Sequence, residues 1–169
     1  MGAARPGREA CVIVACVQGK PARAAPHYLA PSFSDRQLNR VVGALTRAGI
    51  SVAGSRLLEV EGRASGLPRR VPLNLLELDG SRYLVAPRGQ TQWVRNLRAA
   101  GGGQLLLGRR REHVEAIELA DDLKEPILRA YLRRFGWEVG RFFGGVRADA
   151  SAETLRGIAP DHPVFLLEP

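Results

Sequence analysis

The most informative segment of the chain runs from Gly62 to Leu97 and reads GRASGLPRRVPLNLLELDGSRYLVAPRGQTQWVRNL. It opens on a turn rich in glycine and arginine, and a second loop of the same kind follows toward its end. Between the loops lie two runs of strand-forming residues joined by Asp79-Gly80, a pair typical of two-residue hairpin turns. The pattern therefore predicts two cationic loops at the ends of one strand pair.

Length and charge bound the class of protein. The chain has 169 residues, which predicts one domain that can bury a core without disulfides or a metal. Of its 25 basic residues two are lysines, Lys20 and Lys124, and the other 23 are arginines, which match phosphate and carboxylate geometry. The formal net charge of +8 favours an anionic partner: a phosphorylated cofactor, a nucleic acid or a membrane surface. A solvated basic surface without a specific partner is the alternative.

Cysteines and histidines give no metal signature. Cys11 and Cys16 have no second pair, and the three histidines show no ligand spacing, so we expect no metal. Apolar runs stay well short of the ~18 residues that a membrane span needs. We expect a cytoplasmic protein, with membrane association as the alternative.

Residues 1–33 differ in composition from the rest. Arg5 and Arg8 precede a short apolar run, Ala10 to Val17, and a stretch rich in proline and alanine follows. The run lies at the lower edge of the 7–15 residues expected for the core of a secretory signal. We therefore expect a poorly ordered extension rather than an export signal, and a cofactor-binding domain over residues 34–169.

Hydrophobic periodicity predicts a barrel with helical additions. A helix is expected over 34–48, where Ser34 and Gln37 form a capping-box pattern. Further helices are expected over 92–99, 121–135 and 152–158, with another helical turn or two over 137–143. Strands are expected over 55–61, 70–78, 82–86, 104–108, 112–119 and 163–167. About six strands, joined mostly by hairpins, indicate an α+β, mainly β fold: a small antiparallel barrel.

The first loop has the composition of an anion site. Gly62 and Gly66 permit a tight backbone that exposes N–H groups, and Ser65 adds a hydroxyl donor. The loop also carries three fixed positive groups that suit a phosphate or carboxylate: Arg63, Arg69 and Arg70. A polar hairpin turn with solvated arginines is the alternative.

The second loop leads into a helix. Residues 86–89 follow a strand, and a helix begins near Thr91, where free N–H groups favour an anion or a polar ring edge. Trp93 and Leu97 are four residues apart, so one helix face is apolar and Trp93 is by default a core residue. Asn96 lies on nearly the same face. Because a buried amide needs partners, Asn96 either braces the loop or contacts a ligand.

Both loops resemble motifs of one family. Residues 62–69 resemble the G-R-x-S-G-x-x-R turn of the deazaflavin-dependent nitroreductase family. Residues 85–89, followed by 93–99, resemble its second motif, a glycine loop and then W-x-x-N-L-x-A. The motifs occur in order with a hairpin between them. The resemblance covers roughly residues 38–119 and, more loosely, 161–163.

The resemblance implies a fold, a cofactor and a reaction. Members have a split β-barrel, similar to FMN-binding split barrels, and bind coenzyme F420, a flavin analogue with a phosphate and an oligoglutamate tail. Their reaction transfers a hydride from the reduced ring to a quinone, a nitroaromatic or another activated acceptor. The implied contacts to the phosphate and tail come from Arg63, Ser65, Gly66, Arg69 and Arg70. The implied ring-side residues are Pro72, Asn74, Ala86, Pro87, Arg88 and Gly89, with Trp93 and Asn96 holding the second loop.

The chain departs from the family pattern in two places. Pro87 and Arg88 stand where members often carry serine or lysine, and Pro87 has no N–H to offer the ring. The family's substrate-facing tyrosines have no clear counterpart; Tyr131 and Tyr28 are candidates without a motif. We therefore assign no catalytic acid.

Alternatives stay open at this point. The same fold could hold FMN or haem, and the chain could act as a monomer or a homodimer on a small-molecule electron acceptor. A non-enzymatic module for nucleic acid is favoured by the net charge and by the run Arg109–Arg111. The sequence has no helix-turn-helix, zinc knuckle or aromatic-interleaved basic strand, and a hairpin turn explains the arginine run.

Overall fold

The structure is a computed structural model that describes residues 55–169. The helix predicted over 34–48 and the extension predicted over 1–33 lie outside this range. Within it, no helix is both long and apolar enough to cross a bilayer.

Six antiparallel strands close into a barrel in the order β1-β2-β3-β6-β5-β4. This confirms the predicted small antiparallel barrel. The hairpin between the second and third strands turns at Asp79 and Gly80, whose φ values of 50° and 78° suit the predicted two-residue turn. The strands are β1 (Ser55–Glu61), β2 (Pro68–Leu78), β3 (Ser81–Val85), β4 (Gly102–Leu107), β5 (Arg110–Glu118) and β6 (Val164–Glu168).

The turn predicted at residues 109–111 is shorter in the structure. Arg110 and Arg111 belong to β5, where they pair with Leu107 and Leu106 of β4. Arg111 also donates a hydrogen bond to Glu59. The arginine run is therefore spread along a strand and partly neutralised, which weakens the feature that favoured nucleic acid.

In the described part of the chain, three α-helices flank the strands: α1 (Gln92–Ala100), α2 (Glu125–Val139) and α3 (Ala152–Ile158). Ser151 caps α3, since its Oγ accepts from the Thr154 N–H at 3.1 Å. Two predicted bounds are wrong. Residues 121–123 form a separate 3-10 turn, and α2 continues past Phe135 to Val139 because its buried residues keep helical spacing up to that point.

The glycine run 101–103 does two things. Gly101 ends α1, and Gly102 and Gly103 start β4. A Cβ on Gly102 would lie 2.5 Å from the Val114 carbonyl oxygen, and one on Gly103 would lie 2.7 Å from that of Glu59. Close approach of the neighbouring strands therefore requires glycine at both positions.

The apolar core has two parts. Inside the barrel, α1 packs its buried face against strand residues such as Leu58 and Phe165. Outside it, α2 and α3 cover the opposite face of β2, β3 and β6, with Phe135 and Leu155 fully buried. The ring of Trp93 lies 5.9 Å from that of Phe165, so Trp93 anchors the start of α1 in the barrel, as its spacing predicted.

Candidate cofactor-binding site

A cavity of about 1010 Å³ lies where the two predicted loops meet the end of α2. Its size is at the upper end of ligand pockets. Of the thirteen residues predicted to bind the cofactor, only Gly66 and Gly89 do not line it. Both have positive φ, 65° and 73°, and shape their loops instead. The others that line it are Arg63, Ser65, Arg69, Arg70, Pro72, Asn74, Ala86, Pro87, Arg88, Trp93 and Asn96. Their contact with a cofactor stays a prediction.

The first loop uses its backbone N–H groups internally. The Gly62 N–H donates to the Leu67 carbonyl at 2.9 Å, and the Ser65 and Gly66 N–H groups both donate to the Gly62 carbonyl. The predicted exposure of these N–H groups is therefore wrong, because they close the turn. The predicted anion donors that stay available in this loop are the side chains of its arginines and the Ser65 hydroxyl.

Arg63 ties the first loop to α1. Its guanidinium donates to Gln92 Oε1 at 2.8 Å and to Asn96 Oδ1 at 2.9 Å. The Arg63 N–H also donates to Asn96 Oδ1, at 3.4 Å. Asn96 is only 6% exposed, so this pairing satisfies its buried carbonyl oxygen. Of the two roles predicted for Asn96, bracing is thus the one that these contacts support.

The first loop carries a positive charge that its neighbours only partly cancel. Arg70 pairs with Glu59 at 2.5 Å, and Glu59 is shared with Arg111 at 3.3 Å. The partners of Arg63 are neutral amides, and Arg69 has no ion pair among residues 55–169. Within residues 55–169, Arg63 and Arg69 therefore line the cavity without a carboxylate partner.

The second loop also uses backbone N–H groups for hydrogen bonds within the protein. The Ala86 N–H donates to the Pro163 carbonyl at 2.9 Å, and the Gly89 N–H donates to the Ala86 carbonyl at 3.0 Å. Pro87 has no N–H. The loop therefore offers the cavity an apolar surface at Ala86 and Pro87, beside the cation of Arg88.

Two cations of the cavity wall pack on one aromatic ring. The guanidinium carbon of Arg88 lies 4.2 Å from the centroid of Phe142, and that of Arg141 lies 4.7 Å from it. Such contacts help to hold a guanidinium in place. They also join the second loop to a 3-10 turn, Gly140–Phe142, that follows α2.

A polar cluster joins β2 to α2 in the same cavity. Asn74 Nδ2 donates to Glu138 Oε2 at 3.0 Å, and the Asn74 side chain also bonds Tyr131. Burial raises the pKa of the Tyr131 phenol well above its ordinary value, the Glu138 charge raises this pKa further, and the Asn74 bond lowers it slightly. Tyr131 is therefore a neutral phenol at physiological pH. The amide of Asn74, predicted to face a ring, is used for contacts within the protein.

Most of the cavity-lining residues on α2 and in the turn after it were not predicted from the sequence. Trp137, Glu138, Arg141 and Phe142 line the cavity without having been predicted, and Tyr131 was named only as a candidate. Tyr131 and Glu138 are seven residues apart, which puts them on one face of a continuous helix. The predicted helix end near Phe135 hid this relation.

The buried phenol makes a testable prediction about alkaline pH. A raised pKa favours the folded state below the ordinary tyrosine pKa of about 10, and this contribution is lost as pH rises above it. Titration followed by phenolate absorbance should show one tyrosine that stays protonated past pH 10 until the fold is lost. In the urea-unfolded chain this delayed step should vanish. A Tyr131→Phe variant that keeps the step would contradict the assignment.

One family model matches a large part of the chain. Residues 34–136 match the family described as F420H(2)-dependent quinone reductase. The match includes both loops, five strands and most of α2. No curated protein matches the chain.

Two solved structures show the same fold. An F420-H2 dependent reductase, FDR-A, is 21% identical with a TM-score of 0.50, over 68% of this chain and 94% of that one. A structure described as a domain-swapped dimer is 22% identical with a TM-score of 0.51, over 80% of this chain and 97% of that one. At these identities the likeness concerns the fold, and it confirms the predicted split β-barrel. Among residues 55–169 no group of three or more His, Cys, Asp or Glu is placed to hold a metal ion.

Proposed function

Because the chain belongs to the F420H(2)-dependent quinone reductase family, we propose that its cavity holds coenzyme F420 beside a small-molecule electron acceptor. Family membership confirms the predicted F420-dependent oxidoreductase activity and its cofactor. The observation that carries the assignment of the site is that both motif loops line one cavity.

The donor chemistry of the cavity fits this cofactor. At the first loop, guanidinium groups and a hydroxyl converge, which suits a phosphate followed by a chain of carboxylates. Val71, Pro72 and Leu73 of β2 line the same cavity as Ala86 and Pro87 of the second loop and add apolar atoms to it, which suits a planar ring. We assign the phosphate and tail to Arg63, Ser65 and Arg69, with Arg70 beside them.

Residues of the chain orient the reactants and exclude water. The bound cofactor supplies the hydride. The Arg63–Asn96 clamp fixes the first loop against α1, so that both cofactor-facing loops keep one geometry. Arg88 and Arg141 place positive charge where negative charge would develop on a reduced acceptor oxygen. Reduction of the acceptor needs a proton in addition to the hydride. Since Tyr131 holds its own proton tightly, we assign this proton to solvent.

The acceptor class follows from the family, and finer assignments are proposals. A quinone is the acceptor that the family description names, and nitroaromatics are a proposed second class. We propose that the chain acts as a monomer or a homodimer. The described domain-swapped dimer is a precedent for the second form.

Side-by-side binding of F420 and FMN tests the assignment of the cavity. We expect F420 to bind with micromolar or tighter affinity, and raised salt to weaken this binding because the contacts to its tail are exposed charge pairs. FMN, which lacks the acidic tail, should bind more weakly and with a smaller salt dependence. Tight binding of FMN without binding of F420 at low salt would overturn the proposal.

A further inference from the structure

Charge is divided unequally over the cavity. The first loop and β2 contribute Arg63, Arg69 and Arg70. The other end carries Arg88 and Arg141 together with Glu138 of α2, which is the only carboxylate among the described lining residues. If the anionic part of F420 occupies the arginine end, as proposed above, the acceptor meets the wall formed by α2. This inference therefore rests on the proposed function.

The Glu138 carboxylate is held in position. Asn74 donates to it at 3.0 Å, and Asn74 is itself bonded to Tyr131. The Tyr131 ring is fixed between Phe135 and Phe143, at centroid distances of 5.0 and 6.4 Å. Because Tyr131 is neutral and Asn74 uncharged, neither cancels the negative charge of Glu138.

The wall around Glu138 suits a planar molecule. Trp137 and Phe142 line the same cavity, and the Trp137 side chain is 76% exposed. The nearby cations, Arg88 and Arg141, lie over Phe142. An acceptor ring in this place would meet aromatic surface, a pair of stacked guanidinium groups and one fixed carboxylate.

We propose that Glu138 is a specificity-determining residue, which selects neutral acceptors over acceptors with an anionic substituent. A partly buried carboxylate acts on a second charge through a lower effective dielectric than water, so it penalises an anion placed within a few ångströms. Asn74 acts through Glu138 and is a positioning residue.

A matched pair of acceptors tests the proposal in the F420-loaded enzyme. Naphthoquinone and its sulfonated derivative have the same reacting ring and differ in charge. The Glu138→Gln variant keeps the shape and a carbonyl acceptor for Asn74. It should raise kcat/KM for the sulfonated quinone about tenfold and change that for the neutral quinone less than about twofold.

Three further variants separate charge from structure. Glu138→Asp keeps the carboxylate and should keep the wild-type preference. Glu153→Gln removes an equal charge from an exposed position on α3, outside the cavity. It should leave kcat/KM unchanged for both quinones. Asn74→Ala should move the ratio of the two kcat/KM values part of the way toward that of Glu138→Gln.

Equilibrium dialysis of the sulfonated quinone against protein saturated with oxidised F420 gives a readout independent of turnover. Tighter binding by Glu138→Gln than by wild type is the expected result. The contrary result is that Glu138→Gln leaves both the affinity for the sulfonated quinone and the ratio of the two kcat/KM values unchanged while F420 binding and reduction of the neutral quinone stay intact. That result would overturn the role of Glu138 and leave the proposed function standing. A wild-type protein that fails to bind F420 would overturn the proposed function together with this inference.

Discussion

An Arg63→Ala variant is expected to bind F420 more weakly by about 1–3 kcal/mol, the scale for losing a charge-assisted contact. Two losses combine in this variant. One is a guanidinium charge at the loop assigned to the phosphate and tail, and the other is the clamp to Gln92 and Asn96 at 2.8 and 2.9 Å. Titration of F420 at low and high salt measures the change.

A second variant separates the charge from the clamp. Asn96→Ala removes the shared hydrogen-bond acceptor and keeps the Arg63 charge, so it should lower affinity while leaving the salt dependence close to that of wild type. Arg63→Ala should lower the salt dependence as well. Arg109→Ala removes an exposed arginine in the β4–β5 turn, outside the cavity, and serves as the control. If the Arg63 and Arg109 variants changed F420 affinity equally, Arg63 would not be a residue of the cofactor site.

A Phe135→Ala variant is expected to lower the free energy of unfolding by about 3–5 kcal/mol, the cost of removing a large aromatic side chain from a core. Phe135 is fully buried, and its ring lies 5.0 Å from that of Tyr131. The loss is a large share of the roughly 5–15 kcal/mol that holds a typical domain folded. Urea unfolding followed by circular dichroism measures it.

The same helix provides the matched control. Trp137 is also a large aromatic residue of α2, but it is 76% exposed. Trp137→Ala should therefore change the free energy of unfolding by no more than about 0.5 kcal/mol. A similar loss in both variants would mean that α2 is not held to the barrel through the buried face described above.

Much of the barrel could be predicted because its signals are local. Asp79-Gly80 favours the backbone of a two-residue turn, and the apolar residues on either side predict both strands, although β2 begins two residues earlier than predicted, at Pro68. The two glycine loops were recognisable as motifs for the same reason, and nearly all of their predicted residues line one cavity. The end of α2 was not predictable from local sequence. Gly136 favours a helix end, but the helix continues to Val139, which is buried against the strands.

The sequence by itself therefore determined the strands, the loops and the family, because each depends on neighbours along the chain. Tertiary structure alone decided how the site is assembled. Arg63 meets Asn96 across 33 positions, and Asn74 meets Glu138 across 64. It also decided that the loop N–H groups, free by local pattern, are used to close the loops. The physical reason is that a buried polar group needs a hydrogen-bond partner, and packing decides which residue that partner is. The spacing of residues along the chain does not predict it.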